Sequence, residues 1–105
     1  MDVVGLALSG LRASSAGLAV QANNVANQLS SGYKAKRLDL EAEASGGVRV
    51  SRVTEDPTPA GPAASNVDLA TETVQGMGFE LMYRANLKVL QAGEELMKAT
   101  LDLKA

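Results

Sequence analysis

Residues 3–29 read VVGLALSGLRASSAGLAVQANNVANQL. Val4, Leu8, Leu11, Ser15, Leu18, Ala22, Val25 and Leu29 follow one another at alternating steps of four and three. That is a heptad seam with one polar member, and it predicts a helix over roughly residues 3–29. Arg12 is the sole charge in this helix. Off the seam stand mostly Ala, Gly, Ser, Asn and Gln, where a helix with one face in water carries Lys and Glu. Gly5, Gly10 and Gly17 each cost about 1 kcal/mol relative to Ala in a helix interior, so the isolated helix is marginal. Such a helix is packed on several sides, either at the centre of a monomer or against other subunits. A chain of 105 residues offers little else to surround it, which favours neighbouring subunits.

The last third repeats the plan with more charge. Met82, Ala85, Val89, Ala92, Leu96, Ala99 and Leu103 form one seam; Tyr83, Leu87, Leu90, Met97 and Leu101 form another beside it, broken at Glu94. Two adjacent seams make a stripe wide enough for more than one neighbouring helix. The spacing predicts a helix over about residues 67–103, capped by Ser65 with Asp68 in the third position, or by Asn66. Gly76-Met77-Gly78 marks its weak place.

Between the helices, Leu38, Leu40, Ala42 and Ala44 alternate with Asp39, Glu41 and Glu43, the period of a strand. Ser45-Gly46-Gly47 supplies a turn, and residues 48–53 return as a second strand, with Glu43 expected opposite Arg49. All three prolines lie at residues 57–62, an extended connector. The expected fold is therefore mainly α. Long N- and C-terminal helices pack as a coiled coil, with a small β-hairpin and Pro-rich connector between them. Its expected parts are residues 1–33, 34–65 and 66–105, together one domain.

Composition narrows the function. The chain is 46% hydrophobic but only 3% aromatic, so its core is aliphatic and alanine-rich. A net charge of −2 gives no long-range attraction to nucleic acid or anionic lipid. The Lys34, Lys36 and Arg37 cluster is soon followed by Asp39, Glu41 and Glu43. Without His or Cys, the chain lacks the commonest catalytic base, thiol nucleophiles and most transition-metal ligand sets. Glu94 and Glu95 are adjacent on a helix and diverge, which suits a solvated face better than acid–base work. No enzymatic activity, cofactor, metal, small-molecule substrate or nucleic acid is expected. The N-terminus lacks the basic region of a secretory signal, and no apolar run approaches the ~20 residues of a membrane span.

Asn23, Asn24 and Asn27 cluster where the first helix stops. Two readings stand side by side: the amides cap carbonyls of a fraying helix end before Gly32, or they bond groups of adjacent subunits where charge is costly to bury.

Residues 22–27, Ala-Asn-Asn-Val-Ala-Asn, followed by Gly32-Tyr33-Lys34, resemble the N-terminal signature of bacterial flagellar basal-body rod and hook axial proteins. Asn66-Val67-Asp68-Leu69 and Tyr83-Arg84-Ala85-Asn86 resemble that family's C-terminal helix. Val48-Arg49-Val50 and the Glu55-Asp56-Pro57 run are most similar to the C-type proximal rod branch, in a shortened form. The resemblance implies a structural rod subunit, exported by the flagellar type III apparatus without a cleaved signal and assembled in the periplasmic basal body. Its partners would be other copies and other rod proteins. The implied assembly interface comprises Leu8, Leu11, Leu18, Ala22, Asn23, Asn24, Val25, Asn27, Leu29, Gly32 and Tyr33 near the N-terminus. Near the C-terminus it comprises Tyr83, Asn86, Val89, Leu90, Leu96, Met97, Leu101 and Leu103. Both helices are expected to be largely disordered in the free monomer. The alternative is a self-contained helical adaptor or small homo-oligomer with an export-associated binding role.

Overall fold

The computed structural model describes residues 2–104. Its elements are α1 (Val3–Ala26), β1 (Lys36–Ala42), β2 (Val48–Glu55) and α2 (Leu69–Lys104). The architecture is mainly α, with long terminal helices and a two-stranded antiparallel hairpin between them.

Asp2 starts α1 by accepting the Gly5 N–H on Oδ1 at 2.7 Å, which satisfies one orphan donor of the first turn. The helix ends at Ala26, three residues before the apolar seam does, because the Asn27 N–H is shared between the Asn23 and Asn24 carbonyls (3.1 and 3.2 Å). Gly32, at φ 73°, then turns the chain in a conformation open to glycine. α2 begins at Leu69, and its cap is Asp68 rather than Ser65 or Asn66. Asp68 Oδ1 accepts from the Ala70 N–H (2.9 Å), and its carbonyl accepts from Glu72 (2.9 Å). α2 runs unbroken through Gly76-Met77-Gly78.

The two helices are antiparallel. Val3 lies against Gly93, Gly10 against Asn86, Gly17 against Phe79 and Asn24 against Glu72. Each contact is seven residues from the next on both helices. The face that α1 turns to α2 is therefore Ala7, Gly10, Ser14 and Gly17, all buried. It is not the leucine seam, which sits one residue on, about 100° around the helix. Close approach selects the small face. A Cβ on Gly10 would stand under 3.0 Å from the Asn86 amide, and one on Gly17 equally close to the Phe79 ring. Ser14 is fully buried yet needs no partner across the interface, since its Oγ donates to the Gly10 carbonyl at 2.8 Å.

In the hairpin, Ala42 pairs with Val48 and Glu41 with Arg49. The expected Glu43–Arg49 pairing is thus displaced by two residues. Gly46 and Gly47 adopt φ 98° and 87°, and a loop closed by the Glu43 N–H on the Gly47 carbonyl (3.0 Å) postpones pairing to Ala42. Arg49 bonds Glu41 at 3.0 Å and reaches Glu43 only at 3.9 Å. Asp39 pairs with Arg52 and Leu40 with Val50, which leaves Ser51 as the extra residue of a β-bulge. The hairpin docks on α1, where the Val48 N–H donates to Ser9 Oγ at 3.2 Å.

The molecule measures 67 × 24 × 15 Å with a radius of gyration of 18.0 Å, against about 13 Å for a compact chain of this length. Among the described residues the fully buried hydrophobic side chains are Ala7, Ala13 and Ala35. Contrary to the expectation that no apolar run approaches a membrane span, α1 is by length and composition apolar enough (mean hydropathy 1.5) to cross one, because alanine, glycine and serine stand where charges would lower the average. Here it packs on protein instead, with Ser14 and Asn24 buried and Arg12 exposed. Because Gly93 is level with Val3, residues 94–104 of α2 project beyond α1 by roughly 16 Å.

Candidate assembly interface

Two features bear on function: a polar clasp that fixes the helices, and the apolar surface that the clasped arrangement leaves outward.

The clasp centres on Asn24, which is completely buried. Its Nδ2 donates to the Lys36 carbonyl (2.9 Å) and to Glu72 Oε2 (3.0 Å). Its Oδ1 accepts the Lys36 N–H (2.8 Å) and the Tyr33 hydroxyl (2.9 Å). Both donors and both acceptor sites of the amide are used, so one side chain joins α1, the turn, β1 and α2. Glu72, 1% exposed, takes Arg37 on its other oxygen at 2.6 Å. Its position in the first turn of α2 also suits a carboxylate. Asn66 plays a matching part on the connector. Its Oδ1 accepts the Ala35 N–H (2.6 Å), and its Nδ2 donates to the carbonyls of Asp56 (3.2 Å) and Thr58 (2.7 Å). Ser65 Oγ donates to the Gln28 carbonyl at 2.5 Å, and Ser31 Oγ donates to the Pro62 carbonyl.

Of the two readings of the asparagines, Asn24 thus follows neither. Its bonds are intramolecular, but they span elements rather than cap a helix end. Asn27 does cap locally, donating to the Asn23 carbonyl and to Asn23 Oδ1 at 2.9 Å each. Sequence reasoning missed Glu72 and Arg37, which look like ordinary surface charges until the fold brings them together.

Burial raises the Tyr33 hydroxyl above its ordinary pKa of 10.0, with smaller contributions from the negative charges of Glu72 and Glu55. The folded state therefore holds this proton more tightly than the unfolded chain does. The associated stability is intact below pH 10 and drains as pH rises through the raised value. Tyr33→Phe is expected to lose about 1 kcal/mol at neutral pH with the hydroxyl bond. It should also lose less stability than the parent between neutral pH and alkaline pH. Denaturant melts of both proteins across that range, compared pairwise, check this.

The residues expected at an assembly interface fall into three groups. Leu8, Ala22, Asn23, Val25, Leu29, Gly32, Tyr83, Val89, Leu96, Met97, Leu101 and Leu103 are exposed. Leu11, Leu18, Asn27, Tyr33, Asn86 and Leu90 are half-buried, and Asn24 is buried. The exposure is substantial for large apolar groups: Leu29 is 86% exposed, Leu96 68% and Leu103 88%. Val74, Met77 and Leu81 add a further exposed apolar stretch on α2 that the two predicted seams did not include.

No curated protein matches the chain. Residues 63–103 match the family model described as flagellar basal body rod FlgEFG protein C-terminal, a stretch that takes in the end of the connector and nearly all of α2. Over that C-terminal stretch, which forms one of the two long helices flanking the small hairpin, the chain is similar to the flagellar basal-body rod proteins.

Proposed function

We propose that the chain is a structural subunit of the basal-body rod, assembled through the outward faces of its two terminal helices. The observation that carries this reading is the choice of inner face. α1 spends its small residues on α2, so its leucine seam and the wide stripe of α2 are left for other subunits. The accessible surface of 6882 Å² exceeds by roughly 1,300 Å² what a compact monomer of 10.8 kDa exposes. That surplus is comparable to one or two partner faces of standard interfaces. Export by the type III apparatus and a periplasmic position extend the same reading. The hairpin and the Glu55-Asp56-Pro57 run favour a shortened C-type proximal subunit.

Leu18→Asp and Leu96→Asp test the assembly faces. Each is expected to match the circular dichroism of the parent in dilute solution, where neither associates, while abolishing rod assembly and swimming. Normal motility with both substitutions overturns the reading. Sedimentation at rising concentration separates it from the closed adaptor, since heterologous contacts grow without a fixed end point whereas a dimer or tetramer saturates. A core whose fully buried apolar members are alanines also supports a free monomer with largely disordered helices. The helical signal of dilute protein should therefore increase with concentration, and a cooperative, concentration-independent melt would exclude this.

A further inference from the structure

The projecting end of α2 and a groove on the opposite side of α1 have complementary chemistry. The groove, about 390 Å³, runs between α1 and the hairpin and is lined by Leu8, Arg12, Val48 and Val50 together with Glu43 and Arg49. Arg49 is already paired with Glu41 and Glu43. Arg12 has no ion pair among the described residues. The groove thus offers apolar walls, a Glu43 carboxylate offset by Arg49, and one uncommitted guanidinium.

Residues 94–104 carry the converse. Met97 and Leu101 lie 56% and 64% exposed. Glu94, three and seven residues before them, is on the same face. It too has no ion pair among the described residues. Within one molecule the two surfaces cannot meet, because this end of α2 lies beyond the start of α1.

Resting on the rod-subunit reading, we infer that the projecting end of α2 from one copy docks in the α1–hairpin groove of a second copy, Glu94 facing Arg12. Residue 8 of α1 is level with about residue 88 of α2 in its own molecule. Seating residues near 99 there shifts the second copy along the axis by about 11 residues, or roughly 16 Å. A contact with such a translation does not close on itself, so repeating it builds an open stack.

The chain has no cysteine, so introduced thiols report the contact without background. Leu8→Cys protein mixed with Leu101→Cys protein, under mild oxidation, is expected to give mixed dimers in excess of either like pair. Arg12→Glu and Glu94→Arg each should weaken self-association about five-fold in sedimentation, and mixing the two variants should restore it. Arg12 and Glu94 are both exposed, and circular dichroism confirms that the variants fold. If the chain still polymerises but neither reversal weakens it, or mixing fails to restore it, this contact is wrong while the rod reading stands. Preferential Leu8–Leu8 linkage, or linkage of Leu8→Cys only to a different protein in cells, also overturns the contact. If no association occurs at any concentration, both fall.

Discussion

Arg37→Ala is expected to destabilise the protein by about 3 kcal/mol, because it strands the Glu72 carboxylate in a site 1% exposed to solvent. The lower end of the range for broken buried pairs applies, since the Arg37 side chain is itself 24% exposed and water follows it in. For a domain of this size, that loss lowers the melting temperature by roughly 12–20 °C. Adding Glu72→Gln should recover much of the loss. The neutral amide still accepts from Asn24 and no longer needs a cation. Thermal melts of the three proteins at one concentration decide the matter. Equal melting temperatures for parent and Arg37→Ala would mean that the clasp contributes nothing to stability. Since Asn24, Lys36 and Tyr33 share the network, effects of substitutions within it should not add.

The second large effect contrasts two glycines on the helix pair. Gly17→Ala puts a methyl under 3.0 Å from the Phe79 ring, and the overpacking costs about 1–3 kcal/mol. Alanine's better helix propensity offsets only about 1 kcal/mol of it. Gly78→Ala meets nothing within 4 Å, so only the propensity term remains and the variant should be more stable by up to about 1 kcal/mol. The two substitutions are chemically identical and are expected to have opposite signs. If Gly17→Ala stabilises like Gly78→Ala, the close approach of α1 and α2 is not what the small-residue face provides. Chemical denaturation at fixed protein concentration gives both signs in one experiment.

The secondary elements were legible because their causes are local. A period near 3.5 over residues 3–29 and again after Asp68, a period of two around Leu38 and Val48, and the Gly46-Gly47 turn each act within a few residues. Boundaries shifted where a longer-range bond competed. Ser65 and Asn66 have the chemistry of caps, but their side chains tie the connector to Gln28, Ala35 and Thr58, leaving Asp68 to start α2. Hairpin register moved because the loop geometry at Gly46 and Gly47 postponed pairing.

The site was only half legible. Which large side chains need cover was plain from the sequence, since leucines at heptad spacing on a nearly uncharged helix have few other uses. Which face α1 gives to its own α2 was not. The Leu8–Leu11–Leu18 seam and the Ala7–Gly10–Ser14–Gly17 seam lie side by side with the same period, so periodicity alone cannot rank them. Three-dimensional contact ranks them: only the small face lets Phe79 and Asn86 sit against the α1 backbone. The clasp of Asn24, Glu72 and Arg37 is a still more distant product, drawn from three elements and up to 48 residues apart. The sequence by itself determined two helices, a hairpin and a surplus of apolar surface, because periodicity and turn chemistry are short-range. Tertiary structure alone decided which seam turns inward and which charges are buried, because both depend on how closely distant backbones can approach.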